Sequence, residues 1–168
     1  MVVPTAVELI TKRTLVQAYK IPASSMMPTL VIGDHILVNK LSYGIRNPIT
    51  RPCLALCRSP ERGDIVDFIF PEDRTKDLIK RVIAVGGDTV EIRDKTVYVN
   101  GQAIDDPHAY FESGVGSGEV QIRDDYGPKR VPDKHIFVLG DNRDKSYDSR
   151  FWGSLNVNDV KGKAFVIY

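Results

Sequence analysis

Three stretches of this chain hold residue types that can do chemistry on one another. The first is Ile21-Pro22-Ala23-Ser24-Ser25-Met26-Met27-Pro28-Thr29-Leu30, which sets two hydroxyl residues between two prolines. Each proline fixes its own φ and biases the residue before it towards extended backbone. The spacing therefore predicts serines on a stiff, extended segment, with two adaptable methionines beside them. A hydroxyl held rigidly next to apolar pockets suits attack on a peptide. A Ser-Ser pair on its own is ordinary turn material, so any such role needs partners elsewhere in the chain.

Lys80 is the first candidate partner. It lies in Asp77 to Val85, where strict alternation would put Leu78, Lys80, Val82 and Ala84 on one face and Ile79, Arg81, Ile83 and Val85 on the other. Both faces are apolar apart from one cation each, the pattern of a strand buried on both sides. Burial disfavours the ammonium form and lowers a lysine's pKa. A neutral amine near pH 7 can act as a general base. The ordinary fate of such a lysine is to reach solvent along its own stem or to pair with a carboxylate.

The third stretch is Gly140 to Arg150, in which six of eleven residues are charged. A charge run is usually a solvated loop. This one is flanked by apolar Ile136 to Leu139 and by Phe151-Trp152-Gly153, which favours a paired network. Arg81 cannot lose its proton, so its burial demands carboxylates. Asp141, Asp144 and Asp148 are available to it.

The elements that must position these residues are short strands. His35 to Lys40, Ile65 to Phe70, Asp77 to Val85, Thr89 to Ile92, Thr96 to Val99, His135 to Gly140 and Ala164 to Tyr168 all read as strands, and Leu15 to Ile21 as extended chain. Asn100-Gly101 is a strong turn signal. Tyr43 to Ser59 reads as a loop, and residues 100–132, with Gly114 to Gly118 at their middle, as a loop-rich excursion. Thr5 to Glu8 reads as a capping box opening a short helix. The fold class is mainly β, with one core, a loop-rich second lobe and a short N-terminal helix.

Composition narrows the function classes. A chain of 168 residues makes one domain and buries a core without metals or disulfides. A net charge of +1 gives no electrostatic case for a nucleic-acid partner. Cys53 and Cys57 are the only cysteines, and with three scattered histidines they make a metal centre unexpected. The pair could form a small loop disulfide or stay as thiols. No run of roughly 20 apolar residues predicts a membrane span.

Taken together, Ser25-Met26-Met27-Pro28-Thr29, Lys80-Arg81, Gly140-Asp141-Asn142-Arg143-Asp144, Ser146 and Asp148-Ser149-Arg150 resemble the motif set of the type I signal (leader) peptidases. Val31-Ile32-Gly33-Asp34 and Arg62-Gly63-Asp64-Ile65-Val66 match as well. The motifs keep the family's order over about residues 19–168, which would be the peptidase domain, with residues 1–18 a possible remnant of a membrane anchor. The resemblance implies a signal-peptidase-like antiparallel β fold and a serine endopeptidase without a cofactor. Its partners would be the signal peptides of exported pre-proteins and the lipid surface, with cleavage after an Ala-x-Ala-like site. It would work at a bacterial cytoplasmic membrane, on the extracytoplasmic side.

By position, the resemblance makes Ser25 the nucleophile and Lys80 its general base. Ser146 would orient the lysine, and Asp141, Asp148, Arg150 and Arg81 would form a supporting salt-bridge network. Ile21, Pro22, Met26, Leu30, Ile36, Leu78 and Ile79 would line the substrate pockets. Ala23 stands where some members carry a serine that serves the oxyanion hole. Two other classes compete. A self-cleaving Ser/Lys repressor would need an Ala-Gly scissile pair, and this sequence has none. A non-catalytic β-domain that binds extended peptides would tolerate loss of Ser25 or Lys80.

Overall fold

The computed structural model describes residues 15–46, 53–112 and 121–167. The expected helix at Thr5 to Glu8 and the glycines from Gly114 to Gly118 lie outside them. Thirteen strands are present among the described residues. The first six are β1 (Val16–Lys20), β2 (His35–Asn39), β3 (Ile45–Arg46), β4 (Cys53–Ala55), β5 (Ile65–Ile69) and β6 (Asp77–Val85). Then come β7 (Thr89–Arg93), β8 (Thr96–Val99), β9 (Gln102–Ala103), β10 (Tyr126–Arg130), β11 (His135–Leu139), β12 (Leu155–Asn156) and β13 (Val160–Ile167). Two single-turn α-helices, α1 (Gln121–Asp124) and α2 (Ser149–Trp152), and two 3-10 turns, Arg143–Lys145 and Val157–Asp159, complete the set among the described residues.

Seven strands form one antiparallel sheet in the order β1-β2-β13-β5-β6-β11-β12. A second sheet runs β10-β7-β8-β9, and β3 pairs with β4. The mainly β reading therefore holds. The second sheet meets the first through an apolar cluster in which Phe137 and Leu139 of β11 and Ile83 of β6 pack on Val90, Ile92, Val97 and Val99. Another cluster joins Val66, Phe68, Val82 and Val138 to Leu155 and Val160.

Three local readings change. Alternation along β6 does not run to its end. Ala84 faces Phe137 and Val82 faces Val138, so the pairing skips Ile83. Such a bulge flips the faces beyond it. Ala84 accordingly packs with Ile83, and Val85 packs with Val82, the reverse of strict alternation. The loop read over Tyr43 to Ser59 contains the short pair β3–β4. The excursion returns as β10, which pairs with β7, and its Tyr126 ring packs 5.1 Å from that of Phe137. Its polar residues hid this strand, because four of its five residues face solvent.

Candidate active site

Ser25 follows β1 but does not lie on extended chain. The backbone is extended only to Ala23 and then winds through tight turns, with Met27 N–H donating to Ser24 O and Leu30 N–H to Met26 O. These short-range bonds outweigh the extended bias of the prolines. Met26 and Leu30 anchor the turns by burial. The charged loop then clamps them: Asn142 N–H donates to Ser25 O at 3.1 Å, and the Thr29 hydroxyl donates to Asp141 at 2.5 Å. Gly140 is the point of closest approach. A Cβ there would overlap both Ser25 O and Ser146 Oγ, so only glycine fits without displacement.

Lys80 reaches this turn from β6. Its side chain is only 3 % exposed, and its Nζ donates to Ser25 Oγ at 2.7 Å and to Ile79 O at 3.1 Å. Burial pushes its pKa down to about 8. The fields of Asp148 and Asp141 oppose that shift, and Arg150 adds to it. Desolvation is the largest of these influences. The site therefore holds an amine whose neutral form is accessible, in contact with a hydroxyl.

The adjacent residue, Arg81, makes a two-pronged pair with Asp141, at 2.8 and 2.7 Å, and donates to Gly63 O. Arg150 grips Asp148 in the same way, at 2.8 and 2.9 Å, and also donates to the carbonyls of Arg143 and Arg123. Asp148 in turn accepts from Gly140 N–H at 3.0 Å. Both pairs are buried. The first ties β6 to the charged loop; the second stiffens the loop itself. Arg143 pairs with Asp106 of the excursion, and Tyr110 N–H donates to Asp141 O. Sequence reasoning missed Thr29, Gly140, Asn142 and this docking of the excursion. Thr29 and Gly140 stood inside the quoted motifs, but only tertiary contact reveals what they touch.

Ser146 departs from expectation. It is buried beside Gly140, yet its Oγ has no hydrogen-bond partner among the described residues, and the second bond of Lys80 goes to Ile79 O. The pocket residues also divide. Ile21, Met26, Leu30 and Ile36 form one buried cluster with Val38, against which Ile79, Tyr19 and Ile65 pack. At 1 % and 0 % exposure, Leu30 and Ile36 are core. Pro22 is exposed. Leu78 packs instead with Phe68 and Trp152, because successive strand residues point to opposite faces.

The sequence matches the family described as signal peptidase, peptidase S26, over residues 1–168. Curated relatives include the signal peptidase I of Pseudomonas fluorescens, 35% identical over 95% of this chain and 67% of the relative. The signal peptidase I of Bacillus caldolyticus is 38% identical over 86% of this chain and 75% of the relative. Among solved structures, a signal peptidase I from Enterococcus faecalis V583 aligns with a TM-score of 0.53 at 32% identity, covering 63% of this chain and 97% of that one. By kinship this mainly β chain is thus a hydrolase. It belongs to the signal peptidase family, peptidase S26.

Proposed function

We propose that this chain removes signal peptides from exported pre-proteins by a Ser/Lys dyad, cutting after an Ala-x-Ala-like site. The observation that carries it is the 2.7 Å contact between Ser25 Oγ and the buried amine of Lys80. In the neutral state Lys80 accepts the hydroxyl proton while Ser25 Oγ attacks the scissile carbonyl. The backbone N–H of Ser25 is one donor to the oxyanion. The lysine then passes its proton to the leaving amine, and a water activated by the same amine releases the acyl group. Arg81, Asp141, Asp148 and Arg150 hold the two reacting elements in register; Ser146 has the supporting place beside Gly140.

Among the described residues, two strand edges without a pairing neighbour support an extended substrate. β1 ends the large sheet, and β11 pairs with β6 only over Arg81–Val85, leaving Asp77 to Ile79 without a β11 neighbour. The cluster that joins Tyr19 and Ile21 to Ile79 and Ile65 brings these two edges to one place. A peptide added there as a strand points alternate side chains inward, so the first and third residues before the cut enter the enzyme and the second does not. Ile21, Met26 and Ile79 are apolar walls for Ala-sized groups.

The proposed setting is the outer face of a bacterial cytoplasmic membrane. Cys57 is disulfide-bonded, which suits an oxidising compartment. Leu54 and Leu56 are exposed, which suits a lipid surface. Among the described residues no helix is long and apolar enough to cross a membrane.

The test is incubation with a pre-protein in detergent and sequencing of the new N-terminus. Ser25→Ala and Lys80→Ala should each lower kcat by several orders of magnitude, and Ser24→Ala should be mild. Turnover like that of the unmodified chain in either dyad variant refutes the assignment.

A further inference from the structure

The charged loop that meets Ser25 is gripped from its other side by residues 106–112 of the excursion. Tyr110 pairs with Asn142 as a parallel bridge. Tyr110 N–H donates to Asp141 O at 2.8 Å, and Arg143 N–H donates to Tyr110 O at 2.9 Å. Between those two bonds lies Asn142, whose backbone is extended and whose N–H donates to Ser25 O at 3.1 Å. Extended backbone turns successive groups to opposite sides. Residues 141–143 therefore bond Tyr110 along one edge and Ser25 along the other.

Side chains close the grip. Arg143 is 3 % exposed, and among the described residues Asp106 is its only carboxylate partner. Its Nε donates to the carbonyl of Gly140, the residue that lies against Ser25 O, at 3.1 Å. Glu112 accepts from Asn142 Nδ2 at 3.2 Å and pairs with Lys145 at 2.8 Å. Its own N–H donates to Asp144 at 2.8 Å. None of residues 105–112 is buried, so polar bonds rather than apolar burial hold the segment in place. A buried guanidinium without its counterion is costly. Loss of Asp106 would turn Arg143 towards solvent and release Gly140 O with it.

Resting on the peptidase reading above, we propose that residues 106–112 are a positioning strap for the reaction, in which Asp106 acting through Arg143 and Glu112 acting through Asn142 hold Ser25 in place at Lys80. Neither strap carboxylate bonds to Ser25 or Lys80; the bonds of Lys80 Nζ go to Ser25 Oγ and Ile79 O. The charges that act on Lys80 are Asp148, Asp141 and Arg150, not those of the strap. The strap thus works on geometry and leaves the amine's proton affinity alone.

The experiment compares the full chain with its Asp106→Ala variant by amide hydrogen exchange and by cleavage of a pre-protein in detergent. Releasing the strap should speed exchange of the buried Asn142 amide about tenfold, while the amides of β5 and β6 keep their rates. kcat should fall on the order of tenfold, with KM and the pH midpoint of kcat/KM unchanged. Asp106→Asn combined with Glu112→Gln keeps the side-chain shapes and removes both charges. That pair serves if Asp106→Ala fails to fold, with the same result expected. An unchanged Asn142 amide, an unchanged kcat, a raised KM or a displaced midpoint would overturn the strap. Exchange needs no substrate. Should the unmodified chain cut no pre-protein, the peptidase reading falls, while faster Asn142 exchange in the variant still upholds the strap's hold on Ser25.

Discussion

In the proposed dyad, the protonation of one amine decides how this site behaves with pH. Lys80 sits at about 8 rather than the ordinary 10.5 because burial penalises its ammonium form. The neutral amine is the working form of a base, so activity should rise with pH. A profile of kcat/KM should show a rising limb centred near 8 and level off above it. A limb displaced to the ordinary lysine value would remove Lys80 as the base. Because a buried amine stabilises little, Lys80→Met should be inactive yet melt no lower than the unmodified chain. Calorimetry of that variant separates a chemical role from a structural one.

Elements matter here as holders. The charged loop meets the serine turn at Gly140, where any side chain would press on Ser25 O and Ser146. Gly140→Ala should move Ser25, the proposed nucleophile, rather than unfold the chain. A misplacement of about 1 Å can lower the rate on the order of 100-fold, so kcat should drop while circular dichroism stays unchanged. The link from β6 to the same loop is the Arg81–Asp141 pair, buried on both sides. Asp141→Asn or Arg81→Met leaves a buried charge without its counterion, a loss of about 3–5 kcal/mol for such pairs. Urea unfolding of the single and double variants measures it. The double variant should be more stable than the worse single one, since it leaves no lone charge.

For the molecule as a whole, the second sheet is a buttress. Phe137 is almost fully buried between the two sheets, and its strand runs directly into Gly140. Phe137→Ala should cost about 3–5 kcal/mol and lower activity with it, because the cavity lies under the loop that clamps Ser25. An activity loss without a stability loss would mean that the two sheets act independently. The excursion contributes from the other side, where Tyr110 and Asp106 dock on residues 141 to 143.

By itself, the sequence determined the strands that carry the site. Asp77 to Val85, His35 to Asn39 and His135 to Leu139 are legible because short runs rich in branched apolar residues, bounded by turn signals, mark strands buried in a sheet. It also determined that Ser25, Lys80 and the charged loop recur together as a family pattern. Tertiary structure decided the rest. Whether Lys80 meets Ser25 depends on a contact 55 positions apart in the chain, which no local pattern encodes. The bulge at Ile83 reverses the faces of Ala84 and Val85, and it arises from pairing with β11 rather than from β6 alone. Leu30 and Ile36 became core because the serine turn folds back over β2.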